Sequence, residues 1–173
     1  MEARMPSLRI AIGTLALLVA GHAGALARGD TPPDDLGLDA GGHHVHVGDH
    51  RGKVVVVSFW ASWCGYCRKE LPVLAGLQDA AGKDRVEVIA VNTMDDRDAY
   101  LAIRRRLKDV QLTMTRDASG SVGEAYGVRT IPHLFILDRE GRIADEYSGY
   151  GEDSLQEIVD AVNREIAVPV TGS

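Results

Sequence analysis

The chain has 173 residues, 45% hydrophobic and 25% charged, a balance that excludes both a disordered polymer and a polytopic membrane protein. Its formal charge is −6, so a duplex or an anionic membrane would repel it, and no nucleic-acid partner is expected. Cys64 and Cys67 are its only cysteines.

Residues 10–21 (IAIGTLALLVAG) form a short apolar run behind Arg4 and Arg9, and Ala25-Leu26-Ala27 places small residues where a signal peptidase reads. Residues 1–27 are therefore expected to be a signal peptide, and residues 28–173 to fold as one domain. The alternative is an uncleaved anchor from Ile10 to Ala27, short against the roughly 20 residues of a membrane span. Either reading sends the protein to a periplasmic or otherwise exported, oxidising compartment. Residues 28–35 (RGDTPPDD) read as a linker. From Leu36 to His50 a hairpin turned at Gly41-Gly42 would set Leu36, Leu38, Val45 and Val47 on one side. The β-branched run Lys53 to Phe59 (KVVVVSF) indicates a strand buried on both faces.

A helix should follow from Gly65 to about Ala81, with Leu71, Leu74, Ala75 and Leu77 on its apolar side and a kink at Pro72. Val86 to Val91 is a second buried strand, Asp96 to Leu107 a helix and Gln111 to Met114 a short strand. A short helix through Val122, Ala125 and Tyr126 ends at Gly127. His133 to Leu137 and Arg142 to Tyr147 form a hairpin, and a helix from Glu152 to Ile166 carries Leu155, Ile158, Val159 and Val162 on one stripe. Residues 167–173 remain as a tail. This alternation predicts a three-layer α/β/α sandwich over a mixed sheet.

Cys64-Gly65-Tyr66-Cys67 lies where a strand ends and a helix begins. Unpaired N–H groups and the positive dipole end at a helix N-terminus favour a thiolate over a thiol. The first cysteine would sit exposed at the cap and the second one turn inward. That asymmetry suits disulfide exchange, in which one sulfur attacks and the other resolves. A structural staple is a poor reading, because so small a ring constrains the unfolded chain by only about 2 kcal/mol. A zinc site is equally poor, since one CxxC supplies two of four ligands.

Phe59-Trp60-Ala61-Ser62-Trp63-Cys64-Gly65-Tyr66-Cys67 resembles the thioredoxin-fold signature FWAxWCxxC. Its continuation Arg68-Lys69-Glu70-Leu71-Pro72 is similar to the C-x-x-E-x-P extension of TlpA/ResA-like exported thiol-disulfide oxidoreductases, and Gly127 to Pro132 (GVRTIP) resembles the V-x-x-x-P segment. The resemblance covers residues 36–166. It implies a thioredoxin-like domain with an N-terminal β-hairpin and a central helix-strand insertion at about 96–114. It further implies Cys64 as nucleophile, Cys67 as resolving thiol, Glu70 as a buried proton-handling carboxylate and Pro132 as a cis-proline facing the pair. Trp63, Tyr66, Ile131 and His133 would contact the substrate. Burial should raise the Glu70 pKa toward neutrality.

Three positions depart from the pattern: Tyr66 where proline is common, Ser58 where a buried Asp or Asn is usual, and His133 where a small hydroxyl residue is commoner. The Gly-Tyr dipeptide leaves the direction of electron flow open, across potentials of about −270 to −120 mV. His133 could stabilise the Cys64 thiolate or be an ordinary strand side chain. His43, His44, His46 and His50 form a cluster that could take copper or serve as a polar hairpin face, and the second reading is preferred. Arg104-Arg105-Arg106 with Lys108 reads as the wet side of the insertion helix.

The leading function is an exported protein-disulfide reductase that acts, by the resemblance, on cysteine pairs of apocytochrome c or of copper-site assembly. A membrane thiol-disulfide transporter would be its electron donor. A disulfide oxidase or isomerase is the first alternative, and a copper module built from Cys64, Cys67 and a histidine the second. The reductase reading expects a monomer and needs no organic or metal cofactor, because the sulfurs carry the electrons.

Overall fold

The computed structural model describes residues 26–149 and 151–169. The expected signal segment therefore lies almost wholly outside the described residues. Seven strands form one mixed sheet: β1 (Asp35–Leu38), β2 (His44–His46), β3 (Val54–Trp60), β4 (Val86–Asn92), β5 (Thr113–Arg116), β6 (His133–Leu137) and β7 (Ile143–Ser148), in the order β2-β1-β5-β4-β3-β6-β7. Among the described residues four α-helices join them: α1 (Gly65–Ala81), α2 (Arg97–Arg106), α3 (Ser121–Ala125) and α4 (Glu152–Ala167).

The run VVVVSFW is wholly buried because β3 lies inside the sheet, parallel to β4 and antiparallel to β6. Period-two alternation then divides its side chains between the faces. Val55, Val57 and Phe59 join Leu36, Val47, Tyr126, Phe135 and Leu137 on one side. Val54 and Val56 meet Leu74 of α1 and Ile158, Ala161 and Val162 of α4 on the other. At the far end of that second face Trp60 packs with both cysteines, Leu71, Tyr100 and Ile103. The sandwich is unequal: three helices cover one face, while the other is closed by short α3, a 3-10 turn at Val47–His50 and the N-terminal segment.

α1 runs continuously from Gly65 to Ala81 with Pro72 inside it, over the span the sequence predicts. Gln78, fully buried on α1, ties the helix to the sheet: its carbonyl oxygen accepts from Val88 N–H at 2.8 Å and its amide donates to the Gln111 carbonyl at 3.0 Å. That bond explains why β5 begins at Thr113 rather than at the expected Gln111. Residues 107–112 turn through Val110 N–H to Leu107 and Leu112 N–H to Val110, and only beyond them does the chain join β4. The insertion, α2 with β5, thus widens the sheet and carries the N-terminal hairpin at its edge. In that hairpin Leu36 and Val47 enter the core and Val45 packs against it, but a register shift leaves Leu38 half-buried beside Tyr100. Gly37 sits at φ +89° with the Arg116 carbonyl oxygen 2.8 Å from where a Cβ would stand, which leaves room for glycine alone.

The stretch 28–35, expected as a linker, is docked instead. Gly29 N–H donates to Ile143 O at 2.8 Å, Ile143 N–H returns to Asp30 O at 2.9 Å, and the buried Tyr126 hydroxyl donates to Pro33 O at 2.8 Å. Leu26 packs against the same core, and Arg28 pairs with Asp145 and Glu165.

Candidate active site

The C-terminal ends of β3 and β4, parallel and in register from Val54↔Val86 to Trp60↔Asn92, open into two adjacent loops. The first loop delivers Cys64 to the N-terminus of α1 as its cap residue, and Cys67 N–H points at the Cys64 sulfur from 3.1 Å. The two sulfurs are bonded to each other as a disulfide. Cys64 is 6% exposed and Cys67 1%. The sequence reading expected an open outer sulfur; the structure corrects this to a narrow opening, while keeping the order of the two. In-line attack along the S–S bond needs one accessible sulfur only. Around it Trp63 is 63% and Tyr66 59% exposed, Lys69 Nζ lies 5.8 Å from the Tyr66 ring centre, and Arg68 and Lys69 with Gly65 and Tyr66 line a shallow depression.

Ile131 packs against the cluster that contains both cysteines, and the bond that follows it, Ile131–Pro132, is cis. Pro132 is buried, and its carbonyl accepts from Gly149 N–H at 2.9 Å, anchoring this loop to the end of β7. Glu70 stands one turn beyond Cys67 on the buried side of α1 and is 2% exposed. Burial raises its pKa to about 7, and a hydrogen bond from the Ser58 hydroxyl at 2.9 Å offsets part of that rise. A carboxyl in that range can take up and return a proton near neutrality.

His133 does not join the group. It follows Pro132, but strand alternation turns its ring to the opposite face of the sheet, where it pairs with Phe59 in register and stacks on Phe135 at 4.9 Å. Its Nε2 meets Glu146 at 2.7 Å and its Nδ1 is buried without a hydrogen-bond partner. A role beside the Cys64 thiolate is therefore not supported. The copper reading fails on similar grounds. His43, His44 and His46 lie at the β2 edge of the sheet, facing Asp39, Asp35 and Asp34, with three strands between β2 and β3. Among the described residues no group of three or more His, Cys, Asp or Glu is placed to hold a metal.

The structure adds two residues. Ser58 drew notice only as a missing carboxylate; its place opposite Glu70 follows from facing α1 on the central strand. Asp95 was not foreseen at all. Its carboxylate grips Ser62, two residues before Cys64, through both the backbone N–H (2.7 Å) and the hydroxyl (2.8 Å). No sequence spacing signals a contact across 33 residues; only the register of β3 with β4 creates it.

Comparison with known proteins agrees with this geometry. The Redoxin family model matches residues 27–162. The thiol-disulfide oxidoreductase ResA of Geobacillus kaustophilus is 32% identical over 127 residues, 72% of this chain and 71% of that one. The thiol:disulfide interchange protein HelX of Rhodobacter capsulatus is 33% identical over 110 residues, 63% and 60% of the two chains. Among solved structures, the thioredoxin domain of a thiol-disulfide oxidoreductase from Bacteroides vulgatus superposes with a TM-score of 0.68 at 27% identity, covering 80% of this chain and all of that one. With its cysteine pair at the head of α1, this chain belongs to the Redoxin family, as a ResA-like thiol-disulfide oxidoreductase of thioredoxin fold.

Proposed function

We propose that the protein acts as a reductase of cysteine pairs in partner proteins, with Cys64 as the attacking sulfur. In the dithiol form the Cys64 thiolate attacks a substrate disulfide, forming a mixed disulfide and expelling one substrate thiolate. Cys67 then attacks the Cys64 sulfur, the second substrate thiolate leaves, and the Cys64–Cys67 bond closes. Two electrons pass to the substrate, and its two thiolates take up one proton from solvent, to which the Cys64 thiol had released its own, and the Cys67 proton by way of Glu70. The observation that carries the exchange chemistry is the Cys64–Cys67 pair at the head of α1 with the buried carboxyl of Glu70 one helical turn behind the resolving cysteine. Glu70 accepts the Cys67 proton as that sulfur becomes a nucleophile and passes it on as the second substrate thiolate leaves, and the reverse step runs the same transfer backward.

Trp63, Tyr66 and the Ile131–Pro132 loop offer the surface on which a substrate segment lies beside the outer sulfur. Residues 1–27 act as an export signal for a domain that begins at about residue 28, and a membrane thiol-disulfide transporter returns the electrons to a monomeric protein. The resemblance to TlpA/ResA-like proteins favours apocytochrome c or copper-site cysteine pairs as substrates. Cys67→Ala should trap partners as mixed disulfides through Cys64, and an empty trap would refute the exchange mechanism. Equilibration of the wild-type pair with glutathione gives the direction that the Gly-Tyr dipeptide leaves open: a strongly reducing potential supports the reductase, and one of about −120 mV supports the oxidase.

A further inference from the structure

The turn that delivers Cys64 to α1 closes through Cys64 N–H to the Ala61 carbonyl at 3.1 Å, and it is held from outside by one carboxylate. Asp95 Oδ2 accepts from Ser62 N–H and from the Asn92 side-chain amide, both at 2.7 Å, and Oδ1 accepts from the Ser62 hydroxyl at 2.8 Å. The loop that carries Asp95 is itself fixed. Thr93 N–H donates to Trp60 O at 3.1 Å, and Arg116 Nε donates to the Asp95 carbonyl at 3.4 Å. Three short donors converge on a half-buried anion that holds Ser62, two residues before Cys64, and no step of the exchange consumes it.

We propose that Asp95 is a positioning residue that also poises the redox pair. It holds the 61–64 turn so that the Cys64 sulfur stays at the head of α1, and its negative charge opposes a thiolate there. This inference rests on the dithiol reading above. The N-terminal N–H groups of α1 and the exposed Arg68 and Lys69 favour the thiolate. Asp95 opposes them from the turn, whereas Asp96 is occupied in capping α2 through Ala99 N–H. The thiolate belongs to the two-electron-reduced form, so a charge that disfavours it destabilises the dithiol and drives electrons outward, toward a substrate disulfide.

Positioning and charge predict opposite shifts on removal. A slackened turn alone would carry Cys64 away from the helix end and make its thiol ionise at higher pH. Loss of the anion makes it ionise at lower pH. Asp95→Asn, made in the full chain, is expected to shift the equilibrium constant with glutathione about three- to tenfold toward the dithiol, tenfold being about 30 mV for two electrons. In a Cys67→Ala background, thiolate absorbance should show Cys64 ionising at lower pH. Asp95→Glu, which keeps the charge, should stay near wild type, and Ser62→Ala, which loosens the turn but keeps the anion, should slow exchange and move the ionisation to higher pH. Asp95→Ser serves the same measurement if the asparagine variant does not fold.

An unchanged potential, or an ionisation moved to higher pH in Asp95→Asn, overturns the proposal. A wild-type protein that never reaches a reversible dithiol–disulfide equilibrium with glutathione overturns the dithiol reading instead. Normal wild-type behaviour beside an unshifted variant overturns only the role of Asp95.

Discussion

Glu70→Gln isolates the energetic cost of keeping a carboxyl inside α1. The side chain is 2% exposed and its oxygen accepts from Ser58, a bond that a glutamine carbonyl can keep at the same size and shape. Burial lifts the folded-state pKa from 4.5 to about 7. Between those two values the native state holds a proton that the unfolded chain has released, so stability falls as pH rises through this window. At about 1.4 kcal/mol per tenfold, the loss is about 3 kcal/mol, complete once the pH passes the folded value.

Glutamine carries no charge and escapes the loss. Urea unfolding of both proteins, disulfide intact, should give similar stabilities below pH 4.5 and a variant more stable by about 3 kcal/mol at pH 8. The same variant should slow resolution of the mixed disulfide, because its amide cannot take the Cys67 proton. A stability difference that stays flat across the window would refute the buried, proton-holding carboxyl.

Four further outcomes are expected. Ser58→Ala removes the one hydrogen bond that favours the ionised carboxylate, so the upper edge of the pH window in the unfolding series should move above 7. Gln78→Leu leaves Val88 N–H and the Gln111 carbonyl without their partner and should cost about 1–3 kcal/mol for each group in urea unfolding. Tyr126→Phe deletes the bond to Pro33 O, which should cost about 1 kcal/mol and speed amide exchange at Gly29 and Ile143. Trp63→Ala should weaken exchange with protein disulfides while leaving exchange with glutathione within about twofold, since a tripeptide does not span that surface. Equal losses on both substrates would show that Trp63 supports the loop and not the partner.

Much of this was legible in the residues. The all-buried β3 and β4 follow from unbroken β-branched runs, and α1 begins at the predicted residue because Cys64 can cap it. The disulfide pair, the cis bond at Pro132 and the buried Glu70 stand where the motifs placed them. These features are local: hydrophobic period, capping geometry and a helical spacing of three residues are properties of short segments.

What only the tertiary structure decided depends on strand register and face. Which side of the sheet His133 takes, how Asp95 reaches Ser62, and how the 28–35 segment closes over Tyr126 are contacts between residues far apart in the chain. For His133 a one-residue shift in pairing would have reversed the outcome, because successive strand side chains point to opposite faces.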